Sequence, residues 1–183
     1  MGTFRELVEA RKSVRHYLPE PVGREKIMAC LEAARLAPSA HNVQPWRFLV
    51  IDDPELKDRF AGEVFSGIYK ATMFAAHAPV LILILGKPDL LANRIGSVLQ
   101  GIPYLSIDIG IAGEHIALQA RELGLGTCWI GWFNYKKARK FFKVPRSYKV
   151  MALMAMGTHE PRPPKEKNRL PIEKIAWFNR PGF

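Results

Sequence analysis

A chain of 183 residues has room for one domain with a real core, and little room for two. Its composition, 48% hydrophobic and 24% charged, is that of an ordinary soluble globular protein, and its longest apolar run, Ala78 to Leu85, is too short to span a bilayer. A net charge of +10 favours an anionic ligand, an acidic partner or a polyanion, although long basic side chains also mark thermophilic surfaces.

The start, MGTFRELVEA, lacks a cationic stretch followed by an apolar run, which predicts no signal peptide. Cys30 and Cys128 are few and far apart, which argues against a disulfide framework and predicts a reducing cytoplasm. Thr3 and Glu6 form a capping box that opens a first helix with Phe4, Leu7 and Val8 on its apolar stripe. That helix gives way at Arg11-Lys12-Ser13-Val14-Arg15, and Pro19 and Pro21 mark the loop that follows.

Ile27, Cys30, Leu31 and Ala34 recur at helical spacing and predict a second helix, ended by Pro38. Trp46 to Ile51 is short, apolar and aromatic, and predicts a strand. Between them lies Pro38-Ser39-Ala40-His41-Asn42-Val43-Gln44-Pro45, stiffened by two prolines and rich in hydrogen-bonding side chains. From the residues alone it is either a helix-to-strand turn whose Ser and Asn bond their own backbone, or a rigid ligand wall.

Asp53-Pro54 supplies an N-cap and a proline at the first helical position, predicting a helix of about ten residues. Met73 to Ala76 extends the helical reading. Val80 to Leu85 is apolar on both faces, as a central strand is. Residues 87–105 are broken by Gly96, Gly101 and Pro103, and read as a flap over a site or a surface excursion. Asp108 to Leu123 is the longest helix, with small residues Gly110, Gly113, Ala117 and Ala120 along one stripe and Gly124 as C-cap. Thr127 to Gly131 predicts a strand, Tyr135 to Lys143 a basic helix capped by Asn134, and Val150 to Met156 a buried strand. The proline-rich tail, 157–183, predicts an extended run across a surface with a short turn within Ile172 to Phe178. Four or five strands interleaved with helices, in one domain, result.

Several chemistries are missing. The histidines at 16, 41, 77, 115 and 159 share no i, i+4 pair and neither cysteine belongs to a CxxC, so no structural zinc site is expected. Neither a nucleophile elbow nor a P-loop occurs. Gly124-Leu125-Gly126 follows a helix and precedes a strand, the reverse of a Rossmann fingerprint.

Three basic clusters are candidates for anions. Arg11, Lys12 and Arg15, with Ser13 among them, match a phosphate through paired charge-assisted hydrogen bonds. Alone, the pattern favours a solvated helix end offsetting the helix dipole. Lys136, Lys137, Arg139, Lys140, Lys143, Arg146 and Lys149 are interleaved with aromatics, as in nucleic-acid binding, yet Phe141 and Phe142 are better used packing the Ala138 face onto the core. Arg162, Lys165, Lys167 and Arg169 form an arm that either reaches back to an anion or stays solvated.

The order of these pieces resembles the nitroreductase family of FMN-dependent NAD(P)H oxidoreductases. Arg11-Lys12-Ser13-Val14-Arg15 is similar to its RRSxR motif, with Lys12 where Arg is usual, a change that is not neutral at a phosphate. Pro38 to Trp46 resembles its PSxxNxQPW motif, and Gly124 to Gly131 its GLGxxWIG segment after a central helix. Gly157 and Arg169-Leu170-Pro171-Ile172 are similar to its C-terminal elements, so the likeness spans nearly the whole chain. It implies an α+β fold with a central mixed sheet of four to five strands flanked by helices, in an interlocked homodimer with two FMN sites at the subunit interface.

By the same resemblance, Arg11, Lys12 and Ser13 hold the phosphate and ribityl chain, with Arg169 returning to the phosphate. Arg15 lies near the flavin pyrimidine. Pro38, Ser39 and Asn42 come from the other subunit, and Trp129, Ile130 and Gly131 line the opposite ring face with the Gly131 amide facing flavin N5. The implied reaction is ping-pong hydride transfer from NAD(P)H through N5 to an electron-poor acceptor such as a nitroaromatic or a quinone. The chemistry is the flavin's, so no catalytic side chain is expected. The stretch from 86 to 105 is shorter than in large family members, implying a small lid. The alternatives are a flavin-binding or sensing protein without NAD(P)H turnover, and a polyanion-binding module built on 136–149.

Overall fold

The computed structural model describes residues 3–88, 101–161 and 167–182. Helix α1 (Phe4–Ala10) opens on its capping box: Thr3 Oγ1 accepts from the Glu6 amide at 3.3 Å, and the Glu6 carboxylate from the Thr3 amide at 2.6 Å. Helix α2 (Arg24–Arg35) stops with Leu36 as its C-cap, just ahead of the position that Pro38 disfavours for helix. Strand β1 (Trp46–Ile51) leads to α3 (Pro54–Val64), where Asp53 Oδ1 accepts from the Leu56 amide at 2.8 Å.

The helical stretch expected at Met73 to Ala76 is part of a longer 3-10 helix, Gly67–His77, that leads into β2 (Val80–Gly86). Helix α4 (Tyr104–Glu122) begins earlier than its apolar pattern predicts and closes at Gly124, whose φ of 78° suits glycine. Strand β3 (Gly126–Ile130), helix α5 (Tyr135–Phe141) and strand β4 (Lys149–Gly157) follow. Helix α5 ends short of Lys143 because that residue is left-handed, at φ 48°. Most of the expected flap within 87–105 lies outside the described residues, as do Arg162 and Lys165.

The strands form one sheet in the order β1-β2-β4-β3, and its three pairings are all antiparallel. Among the described residues the one parallel pairing is an isolated bridge from Ser13 to Thr127 at the outer edge of β3, so the sheet itself is antiparallel and not mixed as expected. Side chains alternate across the sheet. Val80, Ile82, Ile84, Met154 and Met156 pack with α2 and α4 residues on one face, while Leu81, Leu83, Leu153 and Ala155 pack with α3 and α5 residues on the other.

The small-residue stripe of α4 allows close approach at Gly113, where a Cβ would fall 2.1 Å from the Trp129 indole. Ala117 and Ala120 are buried beside it, whereas Gly110 is exposed. The tail departs from expectation. Residues 168–182 are exposed throughout, with one turn at Ile172–Lys174, and Leu170, Ile172, Ile175 and Phe178 are left in solvent instead of covering this chain's surface. Among the described residues, no helix is long and apolar enough to cross a membrane.

Candidate functional site

Strand β3 is an edge strand, and the chain leaving α1 occupies its open edge. The Val14 amide donates to the Thr127 carbonyl at 2.9 Å. Alternation then sends Val14 inward, 6% exposed, while Ser13 and Arg15 face out. The close approach requires glycine at 126, where a Cβ would lie 2.5 Å from Val14 Cγ2. Arg15 sits 5.8 Å over the Phe74 ring, a cation–π contact that fixes its guanidinium. Burial pushes the Cys128 thiol up, and Arg15 and a hydrogen bond with Ser13 partly offset that. Tyr17 donates to the Val14 carbonyl at 2.8 Å, and burial followed by Cys128 pushes its phenol pKa up.

The C-terminal arm returns to this place. Lys167 Nζ donates to the carbonyls of Val8 and Arg11, each at 2.7 Å. Helix α1 has no basic residue in its own last turn, so Lys167 supplies the positive charge its C-terminus favours. Burial, then Arg11 and Arg169, lower the Lys167 pKa, with Glu114 and Glu9 partly offsetting them. Arg11 Nε pairs with Glu114 of α4 at 3.2 Å.

These segments enclose a groove of about 1130 Å³ lined by Arg11, Lys12, Ser13, Arg15, Lys167 and Arg169. Arg121 also lines it, and among the described residues Glu9 and Glu160 oppose six Lys and Arg side chains. That imbalance is the electrostatics of an anion site. The structure therefore brings together Arg11, Lys12, Ser13 and Arg15 with Arg169, from opposite ends of the sequence. Lys167 had been grouped with the basic arm but not singled out. In an extended chain residues two apart share a side, so its position two before Arg169 was the available signal. For Arg121 and His159, which also line the groove, the sequence held no signal.

Pro38, Ser39 and Asn42 do not line the groove. Their loop is tied to the far end of α4, where Asp108 accepts from the Ala40 amide at 3.1 Å. Asp108 and Arg121 are separated along the helix by roughly 20 Å at 1.5 Å per residue. The loop itself is firm. Ser39 Oγ accepts from the Gln44 amide at 2.9 Å, Gln44 Nε2 donates to the Asn42 carbonyl at 3.1 Å, and Arg47 Nη1 to the Gln44 carbonyl at 3.0 Å.

Trp129 and Ile130 point away from solvent. The Trp129 indole lies on Gly113, and Ile130 is 2% exposed in the core beneath α3 and α5, so a ligand can reach little of Ile130 beyond its backbone. Gly131 is exposed, and a Cβ there would meet nothing within 4 Å. Packing within the chain does not demand glycine at that position.

The basic stretch 136–149 is partly structural. Arg139 donates to the carbonyls of Val144, Pro145 and Tyr148, and Lys137 pairs with Glu63 at 2.9 Å. Phe141 and Phe142 pack on Phe60 with ring centroids 5.4 and 5.0 Å away, so neither is a free platform for a base.

Comparison with known proteins identifies the family. The family model described as the nitroreductase family matches residues 8–158. The Bacillus subtilis (strain 168) protein named "Putative NAD(P)H nitroreductase YdgI" is 48% identical over 201 residues, covering 94% of this chain and 96% of that one. A solved nitroreductase family protein of Clostridium difficile 630 superposes with a TM-score of 0.81 at 30% identity, covering 98% of this chain and 99% of that one. An FMN-dependent nitroreductase of Clostridium difficile R20291 gives 0.74 at 30% identity, covering 95% and 98%. With a matching family model over most of its length and relatives that it covers almost end to end, this chain belongs to the nitroreductase family.

Proposed function

We propose that this protein is an FMN-dependent NAD(P)H oxidoreductase acting on a small electron-poor acceptor such as a nitroaromatic or a quinone. It works as a homodimer with two FMN sites at the subunit interface. The observation that carries the reading is the groove, where Arg11 and Lys12 meet Lys167 and Arg169. A phosphate is the ligand group such a set suits, and FMN carries one.

In this reading Arg11, Lys12, Ser13, Lys167 and Arg169 hold the phosphate and ribityl chain. Arg15, steadied by Phe74, places positive charge near the pyrimidine end, where reduction builds negative charge. Trp129, Ile130 and Gly131 offer mainly backbone to one ring face. Open space at Gly131 permits the close approach that its amide needs to face N5. Pro38, Ser39 and Asn42 of the partner subunit form the other wall, since within their own chain they do not line the groove. The exposed apolar side chains of the tail supply surface for that partner. FMN, when bound, supplies the redox chemistry; the chain's part is to hold it, orient it and keep water out.

The test is a titration of purified protein with FMN, followed by NADH or NADPH under anaerobic conditions. Yellow protein whose flavin absorbance bleaches with either donor is the expected result. Colourless protein that takes up no FMN overturns the proposal, and bound flavin that stays oxidised with both donors supports a binding or sensing role instead.

A further inference from the structure

Ala40 opens the 3-10 turn Ala40–Asn42, and its amide is one that such a turn leaves without an internal partner. Ser39, just ahead, is of a type that commonly caps such an amide, yet its side chain makes no cap bond. Its Oγ is turned forward to the Gln44 amide instead. The cap comes from Asp108, 68 residues downstream on α4, whose Oδ1 accepts from Ala40 N at 3.1 Å.

Asp108 is 4% exposed, and among the described residues no Lys or Arg pairs with it. A buried carboxylate in a helix face is costly unless its oxygens are used as acceptors, and the bond from Ala40 uses one. The turn needs holding. His41, Asn42 and Gln44 have φ of 52°, 56° and 48°, a left-handed conformation that residues with a Cβ avoid. Such conformations persist only where the surroundings over-determine them.

We infer that Asp108 is a positioning residue for the flavin wall. By capping Ala40 it keeps the strained turn from relaxing, and so holds Ser39 and Asn42 in place for the FMN site of the partner subunit. The inference rests on the proposed reading of Pro38 to Asn42 as that wall.

The test compares Asp108→Ala with Asp108→Asn in the full-length protein, by amide hydrogen exchange without FMN and by FMN titration. Asn keeps an acceptor oxygen in the same place; Ala removes it. For Asp108→Ala we expect exchange over residues 40–44 at least tenfold faster, with β2 and β4 unchanged. Its FMN dissociation constant should rise about five- to tenfold, with an altered visible circular dichroism band of the bound flavin. Asp108→Asn should stay within about twofold of wild type on every readout. Unchanged exchange, or faster exchange with unchanged FMN affinity, overturns the inference. So does an Asn variant as impaired as the Ala variant. Should Asp108→Ala not fold, Asp108→Leu, near in shape but without the acceptor, takes its place with the same expectations. Wild-type protein that takes up no FMN defeats the proposed function and leaves the exchange measurement to decide the role of Asp108.

Discussion

Two regions lie at opposite ends of α4 and are built differently. At the Arg121 end, residues 11–15, β3 and the returning arm meet around one groove, tied by Ser13–Thr127, Arg11–Glu114 and the Lys167 bonds to Val8 and Arg11. At the Asp108 end, residues 38–45 form an equally firm loop, tied to Asp108 and Lys87 but lining no part of the groove. One region gathers charge; the other presents a shaped, strained surface. A polar loop can thus be specified by its own chain while lining no pocket there, as a wall offered to a partner would be in the proposed dimer.

The largest expected effect comes from breaking the groove. Arg11→Ala removes a cation and leaves Glu114, 3.2 Å away in the wild type, unneutralised near the phosphate. A hydrogen bond to a charged group contributes about 1.5–3 kcal/mol, so FMN affinity should fall roughly ten- to a hundredfold. Fluorescence titration reads this directly, and an unchanged value removes Arg11 from the site.

Next is the scaffold that both regions share. Gly113→Ala would set a Cβ 2.1 Å from the Trp129 ring, so α4 or the indole must shift. Overpacking of this kind costs about 1–3 kcal/mol. The melting temperature should drop by several degrees, and FMN affinity should fall with it because both ends of α4 move. Loss of stability with intact affinity would separate the helix from the site.

A smaller effect is the pH dependence at Lys167. Its pKa lies below the usual lysine value, chiefly through burial and then through Arg11 and Arg169. A bound phosphate favours the charged ammonium, so binding takes up a proton wherever the free protein has lost it. Affinity is therefore full below the lowered pKa and declines as pH rises through it, earlier than for an ordinary lysine. Lys167→Gln should flatten this decline, measured as FMN affinity across the alkaline range.

The smallest separates strain from contact in the wall. Asn42→Ala puts a residue poorly suited to φ 56° in the turn and should cost about 1 kcal/mol of stability. Asn42→Gly should recover the stability but not the flavin affinity. Recovery of both would mean that the Asn42 side chain touches no ligand.

Much of this was legible in the sequence wherever local physics decides. The capping box at Thr3, the Asp53-Pro54 start of α3 and the Gly124 stop each act within a few residues, and each is present in the fold. The strands were readable because Val80 to Leu85 and Val150 to Met156 are apolar on both faces, and each packs with both cores. Met73 to Ala76 is helical as expected, but the helix is 3-10 and starts at Gly67, because its fold depends on distant partners. Buried Lys57 donates to the Ala76 carbonyl at 2.7 Å, and Thr72 to the Trp132 carbonyl at 2.6 Å. The short turn of the tail lies where expected, but Leu170, Ile172, Ile175 and Phe178 face solvent, and prolines alone do not say which surface a tail covers. In the candidate site, Arg11 to Arg15 and Arg169 were found by motif. Lys167, Arg121 and Asp108 act through contacts made 68 to 159 residues away or through the groove alone, and no local pattern marks those.

The central claim is that groove and wall of one FMN site come from different chains, and subunit mixing tests it most directly. One variant, Arg11→Ala with Lys167→Ala, disables the groove; another, Ser39→Trp, disables the wall. Each alone should hold little FMN. Unfolded and refolded together, they form hybrid dimers in which the intact groove of one chain faces the intact wall of the other, and flavin content should return to half the wild-type level of each hybrid. Hybrid dimers that form but bind no more flavin than either parent would contradict the claim.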